Sequence, residues 1–268
     1  MPLAKPSSGI EELVDETSGK EIIVTPPLIN RFEELTKKYE DMVLSTTDLE
    51  NKMSDFKYIL NPIDINLFLQ STTQYEHRVN QGRYEIITGS FVSRLIQCSY
   101  NEGYNGFALD LTNLIPMGVG RKLKGTQERP LEMNITGKAG DFCGSQVEYS
   151  NFIIKEAANW CGMHSKHSRF EIKKSGFQCG VNSQNSIFTI DNAGSSLALQ
   201  AEKSTFIVDT TTDDTTTDHC ASFAHDSVFK TKNIDQLNKF KIFVKTSRRN
   251  KLYFIHPDGS EEEISPHS

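Results

Sequence analysis

From Met133 the chain divides into blocks of eighteen residues: MNITGKAGDFCGSQVEYS, NFIIKEAANWCGMHSKHS, RFEIKKSGFQCGVNSQNS, IFTIDNAGSSLALQAEKS and the decayed TFIVDTTTDDTTTDHCAS. Fixed self-similarity of this length is the mark of a repeat architecture. The second column holds Phe152, Phe170, Phe188 and Phe206, and the fourth holds Ile154, Ile172, Ile190 and Val208. Gly140, Ala158, Gly176 and Gly194 share the eighth column; Cys143, Cys161, Cys179 and Leu197 share the eleventh, each followed by glycine or alanine. Ser150, Ser168, Ser186, Ser204 and Ser222 close the blocks. A block this short cannot hold a helix pair. Short β-type triplets with Gly or Ser at the corners fit one coil of a parallel β-helix.

In such a stack each coil pairs with the coils above and below at about 4.8 Å, so identical columns form ladders. The ends of the stack expose open strand edges and need covers. A partial coil is expected upstream at Phe107–Leu111, separated from the regular blocks by a loop that contains Pro116, Gly118, Gly120 and the polar run RKLKGTQERP.

The repeated element is apolar-x-apolar, then Gly or Ala, then x-x-Cys-Gly and a closing Ser. It resembles the β-helix found in the C-terminal domain of the glutamate synthase large chain and in a β-helical component of formylmethanofuran dehydrogenase. It is also similar to uncharacterised archaeal proteins with Gly-x-x-Cys-Gly coils. The resemblance covers residues 105–222 and implies a right-handed parallel β-helix that serves as a scaffold without catalytic residues of its own.

The expected fold class is therefore α+β: a short parallel β-helix of 18-residue coils, preceded by a small helical domain and followed by a β-hairpin cap. Residues 1–19, rich in Pro, Ser, Gly and Glu, read as a disordered tail. Residues 20–104 read as the helical domain, 105–222 as the β-helix and 223–268 as a C-terminal helix/hairpin cap. Within the helical part, Thr25-Pro26-Pro27 is a helix start, and Leu28, Phe32, Leu35, Tyr39 and Met42 follow on one stripe. Further helices are expected over Thr47–Leu60, stopped by Pro62, over Asp64–Arg78, and over Gly89–Tyr100 with an end at Gly103. Near the C-terminus, two β runs, Phe240–Val244 and Leu252–Ile255, flank a Ser-Arg-Arg-Asn-Lys turn, and Pro257-Asp-Gly259 marks the next turn.

The chain has no run of eighteen apolar residues and no charged start followed by an apolar stretch, so neither a membrane span nor a secretory signal is expected. Five cysteines, an odd number, fit free thiols in a reducing compartment, and a cytoplasmic location is the expectation. The net charge of −6 is uneven. Between residues 230 and 251, Lys230, Lys232, Lys239, Lys241, Lys245, Arg248, Arg249 and Lys251 stand against the single acid Asp235, which leaves −13 for the rest of the chain. This segment reads either as a solvated face balanced by acids such as Glu261–Glu263, or as a footprint for RNA or an acidic protein.

Three constellations bear on chemistry. Cys143, Cys161 and Cys179 would stand about 5 Å apart in adjacent coils, within range of a shared soft metal or redox chemistry, yet Leu197 in the same column points to buried apolar filler. Cys161-x-x-His164-x-x-His167 has zinc-type ligands, but successive side chains of an extended coil rarely converge, and Lys166, Arg169, Lys173 and Lys174 make these histidines part of a positive strip. Asp213, Asp214 and Asp218 could surround a hard cation, with His219, Cys220 and His225 following, although no glycine turn lies in that run. Carbohydrate binding needs an exposed aromatic column, and Phe142 and Trp160 begin one that Gln178 and Ser196 interrupt.

The reading is a non-catalytic scaffold that joins with itself, as a homodimer, or docks to a protein or ribonucleoprotein assembly such as the ribosome. No cofactor, membrane or small-molecule substrate is called for. The alternative is an enzyme, or an accessory component of one, with a metal or redox site at the cysteine column.

Overall fold

The computed structural model describes residues 26–44, 56–211, 221–244 and 249–265. The chain divides into two compact units, residues 1–41 and 42–268. Helix α1 is Pro26–Leu44, and Leu35, Tyr39 and Met42 of the expected stripe are buried, with Phe32 half-buried; the Leu28 side chain lies outside the described residues.

The helical expectations for residues 47–78 need correction. Most of the helix expected over Thr47–Leu60 lies outside the described residues, and Phe56–Leu60 at its end is irregular. Pro62 stops nothing; it is the first residue of α2, Pro62–Ser71. Asn61 caps that helix, its side-chain oxygen accepting from the Asp64 N–H at 2.8 Å, and a proline is pre-set for the first helical position. Ile65, Phe68 and Leu69 then fall on one buried face. A 3-10 turn, Thr72–Arg78, follows in place of a continued α-helix. Helix α3 runs Gln81–Asn101, beginning eight residues before the expected Gly89 because Asn80 supplies the cap at Arg83.

One nine-stranded sheet dominates the larger unit, with strands in sequence order. They are β1 Gly106–Leu111, β2 Leu131–Ala139, β3 Ser150–Ala157, β4 Arg169–Ser175, β5 Ile187–Ala193, β6 Thr205–Thr211, β7 Val228–Thr231, β8 Lys251–Ile255 and β9 Glu261–Ile264. Strands β1 to β8 are parallel, and only β9 is antiparallel. In this register the phenylalanines are direct neighbours, Phe152 to Phe170 to Phe188 to Phe206, as are Ile154, Ile172, Ile190 and Val208. All of these side chains are buried, and the phenylalanine rings stack at 4.8–5.1 Å between centroids. Facing apolar neighbours at strand spacing in this way lets each repeat bury the face of the next.

The first and fifth blocks depart from the simple frame. Met133 and Ile135, rather than Asn134 and Thr136, occupy the phenylalanine and isoleucine columns, pairing with Phe152 and Ile154. The ladder recovers its eighteen-residue step after a bulge at Gly137, whose φ of 78° suits glycine. In the fifth block an insertion lengthens the step, so that Phe206 pairs with Phe229, and Ser227 rather than Ser222 is the closing serine that accepts from Ser204 N–H.

The closing serines form a ladder of their own. Ser168 Oγ accepts from Ser150 N–H at 3.1 Å and donates to Lys166 carbonyl at 2.7 Å, and Ser186 and Ser204 repeat the arrangement. Each hydroxyl satisfies a buried corner amide that the strands leave unpaired. Asn250 takes over at the last step, its Oδ1 accepting from Ser227 N–H.

The stretch 112–130 is more ordered than a loop. Val119 carbonyl accepts from Gly144 N–H, as Cys143 carbonyl does from Gly162 N–H, and Lys124 bridges to Glu148 as Glu148 does to Lys166. Helix α3 docks on it through Ser93, whose Oγ accepts from Gly120 N–H at 2.8 Å, and through Gln97, which exchanges hydrogen bonds with the Lys124 backbone. Helix α2 lies along β1, where Asn66 accepts from Asp110 N–H and Gln70 donates to Asp110 carbonyl. Both backbone groups of Asp110 on the free edge of β1 are thereby paired.

The C-terminal expectation also changes. Ile234–Val244, which includes the expected β run Phe240–Val244, is helix α4, capped by Asn233 Oδ1 at Asp235 N–H. Leu237 and Phe240, one helical turn apart, are buried, with the Phe240 ring 5.6 Å from Phe229. The run at 251–255 instead joins the sheet as β8, and the hairpin is β8–β9 around Pro257–Gly259. No helix among the described residues is long and apolar enough to cross a membrane.

Candidate interaction surface

Cys143, Cys161 and Cys179 are all buried. Hydrogen bonding among the three thiols, reinforced by burial, pushes the Cys161 thiol well above its ordinary range, so this group stays protonated and apolar in behaviour. His164 and His167 are exposed, and His167 lies flat on Tyr149 at 4.9 Å. They do not converge with Cys161. Both have left-handed backbone, φ 56° and 49°, and they share it with Gln146 and Tyr149, Asn182 and Asn185, and Gln200 and Lys203 in the neighbouring repeats, so the conformation belongs to the repeat and not to the histidines. Among the described residues, no group of three or more His, Cys, Asp or Glu is placed to hold a metal ion. Asp213, Asp214, Asp218, His219 and Cys220 lie outside the described residues, while His225 stands 3.8 Å from Asp226.

Of the basic segment, three cations meet carboxylates. Lys230 Nζ contacts both oxygens of Glu261 at 2.7 Å and lies 5.5 Å from the Tyr253 ring. Arg249 engages Asp226 at 2.9 and 3.0 Å. Lys251 stands 3.6 Å from Glu263, which holds its ammonium above the usual range. Lys232 is exposed and Lys241 half-buried; Lys245 and Arg248 lie outside the described residues, and the Lys239 side chain does too.

A flat strand face is one of the two surfaces expected for assembly, but sequence reasoning assigns none of its residues to it. Its residues occupy the positions between the buried columns. One file, from β2 to β6, is Asn134, Ile153, Glu171, Thr189 and Ile207. Beside it, from β3 to β6, Lys155, Lys173, Asp191 and Asp209 each lie one residue beyond the buried isoleucine or valine of their strand, at a position the ladder pairing skips between the columns Ile154–Val208 and Glu156–Thr210. Lys155, Lys173 and Asp191 are exposed, and Ile153 is 54% exposed despite being apolar. A shallow depression of about 390 Å³ runs over this face between Asn134 and Asp191. A second, of about 400 Å³, lies between α2 and the first strands, with Ile63 and Ile153 on its rim.

Two other files differ in charge pattern. The corner file Lys124, Glu148, Lys166, Gln184, Glu202, His225 alternates in sign at its start, with Lys124 4.0 Å from Glu148. Lys138, Glu156 and Lys174 alternate as well, Lys138 lying 3.6 Å from Glu156. On the aromatic corner, Phe142 stacks on Trp160 at 4.8 Å, and the Trp160 indole N–H donates to Gln178, which ends the aromatic run. No family model, curated protein or solved structure matches the chain.

Proposed function

We propose that this chain is a non-catalytic right-handed parallel β-solenoid scaffold, whose work is to join with itself or to dock into a larger assembly. The observation that carries the reading is the ladder: eight parallel strands in sequence order with phenylalanine, isoleucine and cysteine columns buried and a broad strand face left open. Consecutive parallel strands of one sheet are almost always connected in the right-handed sense, which supports the handedness. The cysteines of the buried column are enclosed among apolar side chains, and the Cys161 thiol is held neutral by its thiol neighbours and its burial, which suits filler better than chemistry.

Pairing of Lys230, Arg249 and Lys251 with carboxylates favours a protein partner over a phosphate backbone, because paired cations release fewer counterions on binding. The test is affinity isolation of the tagged protein from its own cells at low and high salt, identifying protein and RNA, with elemental analysis of the product. A reproducible set of protein partners, this chain included, without stoichiometric metal is the expected result. Stoichiometric zinc or iron that Cys161→Ser removes from a folded protein would overturn the reading in favour of an enzyme.

A further inference from the structure

Lys155, Lys173, Asp191 and Asp209 follow one another strand by strand between two paired columns, Ile154–Ile172–Ile190–Val208 and Glu156–Lys174–Asn192–Thr210, so like charges lie on adjacent parallel strands twice. Like charges side by side on a sheet are unfavourable. The file beyond it, Lys138, Glu156, Lys174, avoids this by alternating, as does the separate corner file Lys124, Glu148, Lys166. In the blocked file the sign changes between β4 and β5, which is the midpoint of the eight parallel strands β1–β8. A two-fold axis running parallel to the strands at that midpoint turns one sheet face onto another and reverses the order of strands. It sets β4 opposite β5 and β3 opposite β6 of the second copy.

The consequence is reciprocal. Lys173 of each copy meets Asp191 of the other, and Lys155 meets Asp209. In the adjacent file Ile153 meets Ile207, and Glu171 meets Thr189. The exposed Ile153 thus gains an apolar neighbour and every charge of the blocked file gains an opposite one. With a strand spacing of about 4.8 Å and a rise of about 3.3 Å per residue, the eight-strand face covers roughly 700 Å². A standard interface takes about 800 Å² from each partner. We infer that the occupant of this face is a second copy of the chain, held in a closed two-fold dimer by the file Lys155, Lys173, Asp191, Asp209. This deepens the scaffold reading and rests on it.

Sedimentation equilibrium of the full chain tests it. The wild type is expected at twice its 30.2 kDa, and dissociates more readily as ionic strength rises from about 0.05 M to about 0.5 M. Lys155→Asp with Lys173→Asp gives an all-acidic file, and Asp191→Lys with Asp209→Lys gives an all-basic one. Each double variant alone is expected to self-associate at least about 100-fold more weakly, and an equimolar mixture to recover a heterodimer. A monomeric wild type, a variant that still dimerises, or a mixture that stays monomeric overturns the two-fold.

If either double variant fails to fold, Ile153→Cys with Ile207→Cys is the second route. Three strand spacings separate these positions within a chain, about 14 Å, too far for an internal disulfide. Oxidation is expected to give a covalent dimer on a non-reducing gel, and its absence overturns the proposal. Protein partners recovered from cells by a monomeric wild type would sink the two-fold and leave the scaffold reading standing, whereas stoichiometric metal at Cys161 would sink the scaffold reading whatever the oligomeric state.

Discussion

Gly162 lies so close to the ring of Phe188 that a Cβ on it would stand 2.6 Å from Phe188 Cε1, and its φ of 65° is left-handed. Gly144 stands in the same relation to Phe170, and Gly180 to Phe206. The glycine after each cysteine and the phenylalanine two blocks further on are thus one packing unit, written into the chain as two columns 26 residues apart. Gly162→Ala combines overpacking with left-handed strain and is expected to cost about 2–4 kcal/mol. Urea unfolding followed by circular dichroism would measure it; a loss below about 0.5 kcal/mol would mean the ring has room to move. Ala198 occupies the same column next to the longer repeat, where the Phe206 and Phe229 rings are 5.5 Å apart.

Removal of one serine from the corner ladder leaves a buried amide without its acceptor. Ser186 Oγ accepts from Ser168 N–H at 3.3 Å and donates to Gln184 carbonyl at 3.0 Å. Ser186→Ala is expected to cost about 1–3 kcal/mol. Hydrogen exchange provides the local readout: the Ser168 amide should exchange faster in the variant, and unchanged protection there would count against the ladder.

Cys161 has a raised thiol pKa in the folded chain because of its hydrogen bonds with Cys143 and Cys179 and its burial. For a group whose folded pKa is raised, the stabilising effect is fully present below the unfolded value and is lost as pH rises above it. Unfolding free energy should therefore decline as pH passes the ordinary thiol pKa of about 8.5. Cys161→Ala should flatten that decline, as a pH series of urea titrations would reveal. Iodoacetamide should modify Cys143, Cys161 and Cys179 only after unfolding, and rapid labelling of the native protein would refute their burial.

Glu261 and Glu263 neutralise Lys230 and Lys251 across the β7–β8–β9 edge. Glu261→Gln with Glu263→Gln should change stability by about 1 kcal/mol or less, as exposed pairs do. Its larger effect is on polyanion binding, since two released cations steepen the salt dependence. Later elution from heparin than the wild type is the expected outcome; equal elution would show that these acids do not mask the segment.

Much of the fold was legible because the repeat puts the same demand on every block. A buried ring, a β-branched residue two positions on, a small corner residue and a closing serine recur at one spacing, and parallel pairing needs only that recurrence to bring them into register. Departures from the pattern were harder to read. The bulge at Gly137 moves the frame by one residue, and the only marks of the shift in the linear text are the polar Asn134 and Thr136 at column positions that are apolar in the next blocks. Phe240–Val244 is apolar enough for a strand, and only the Asn233 cap and the packing of Phe240 against Phe229 make it a helix.

The same division applies to the candidate surface. Sequence alone determined that the cysteines form a column and that 230–251 is basic, because both are properties of spacing and composition. Tertiary structure decided that the histidines face away from Cys161 and that Lys230, Arg249 and Lys251 meet Glu261, Asp226 and Glu263, because those partners come from other strands and turns. It also decided that Lys155, Lys173, Asp191 and Asp209 stand in one file. Residues eighteen apart become neighbours only when the strands pair, and the order of their charges acquires a meaning only on the face that pairing creates.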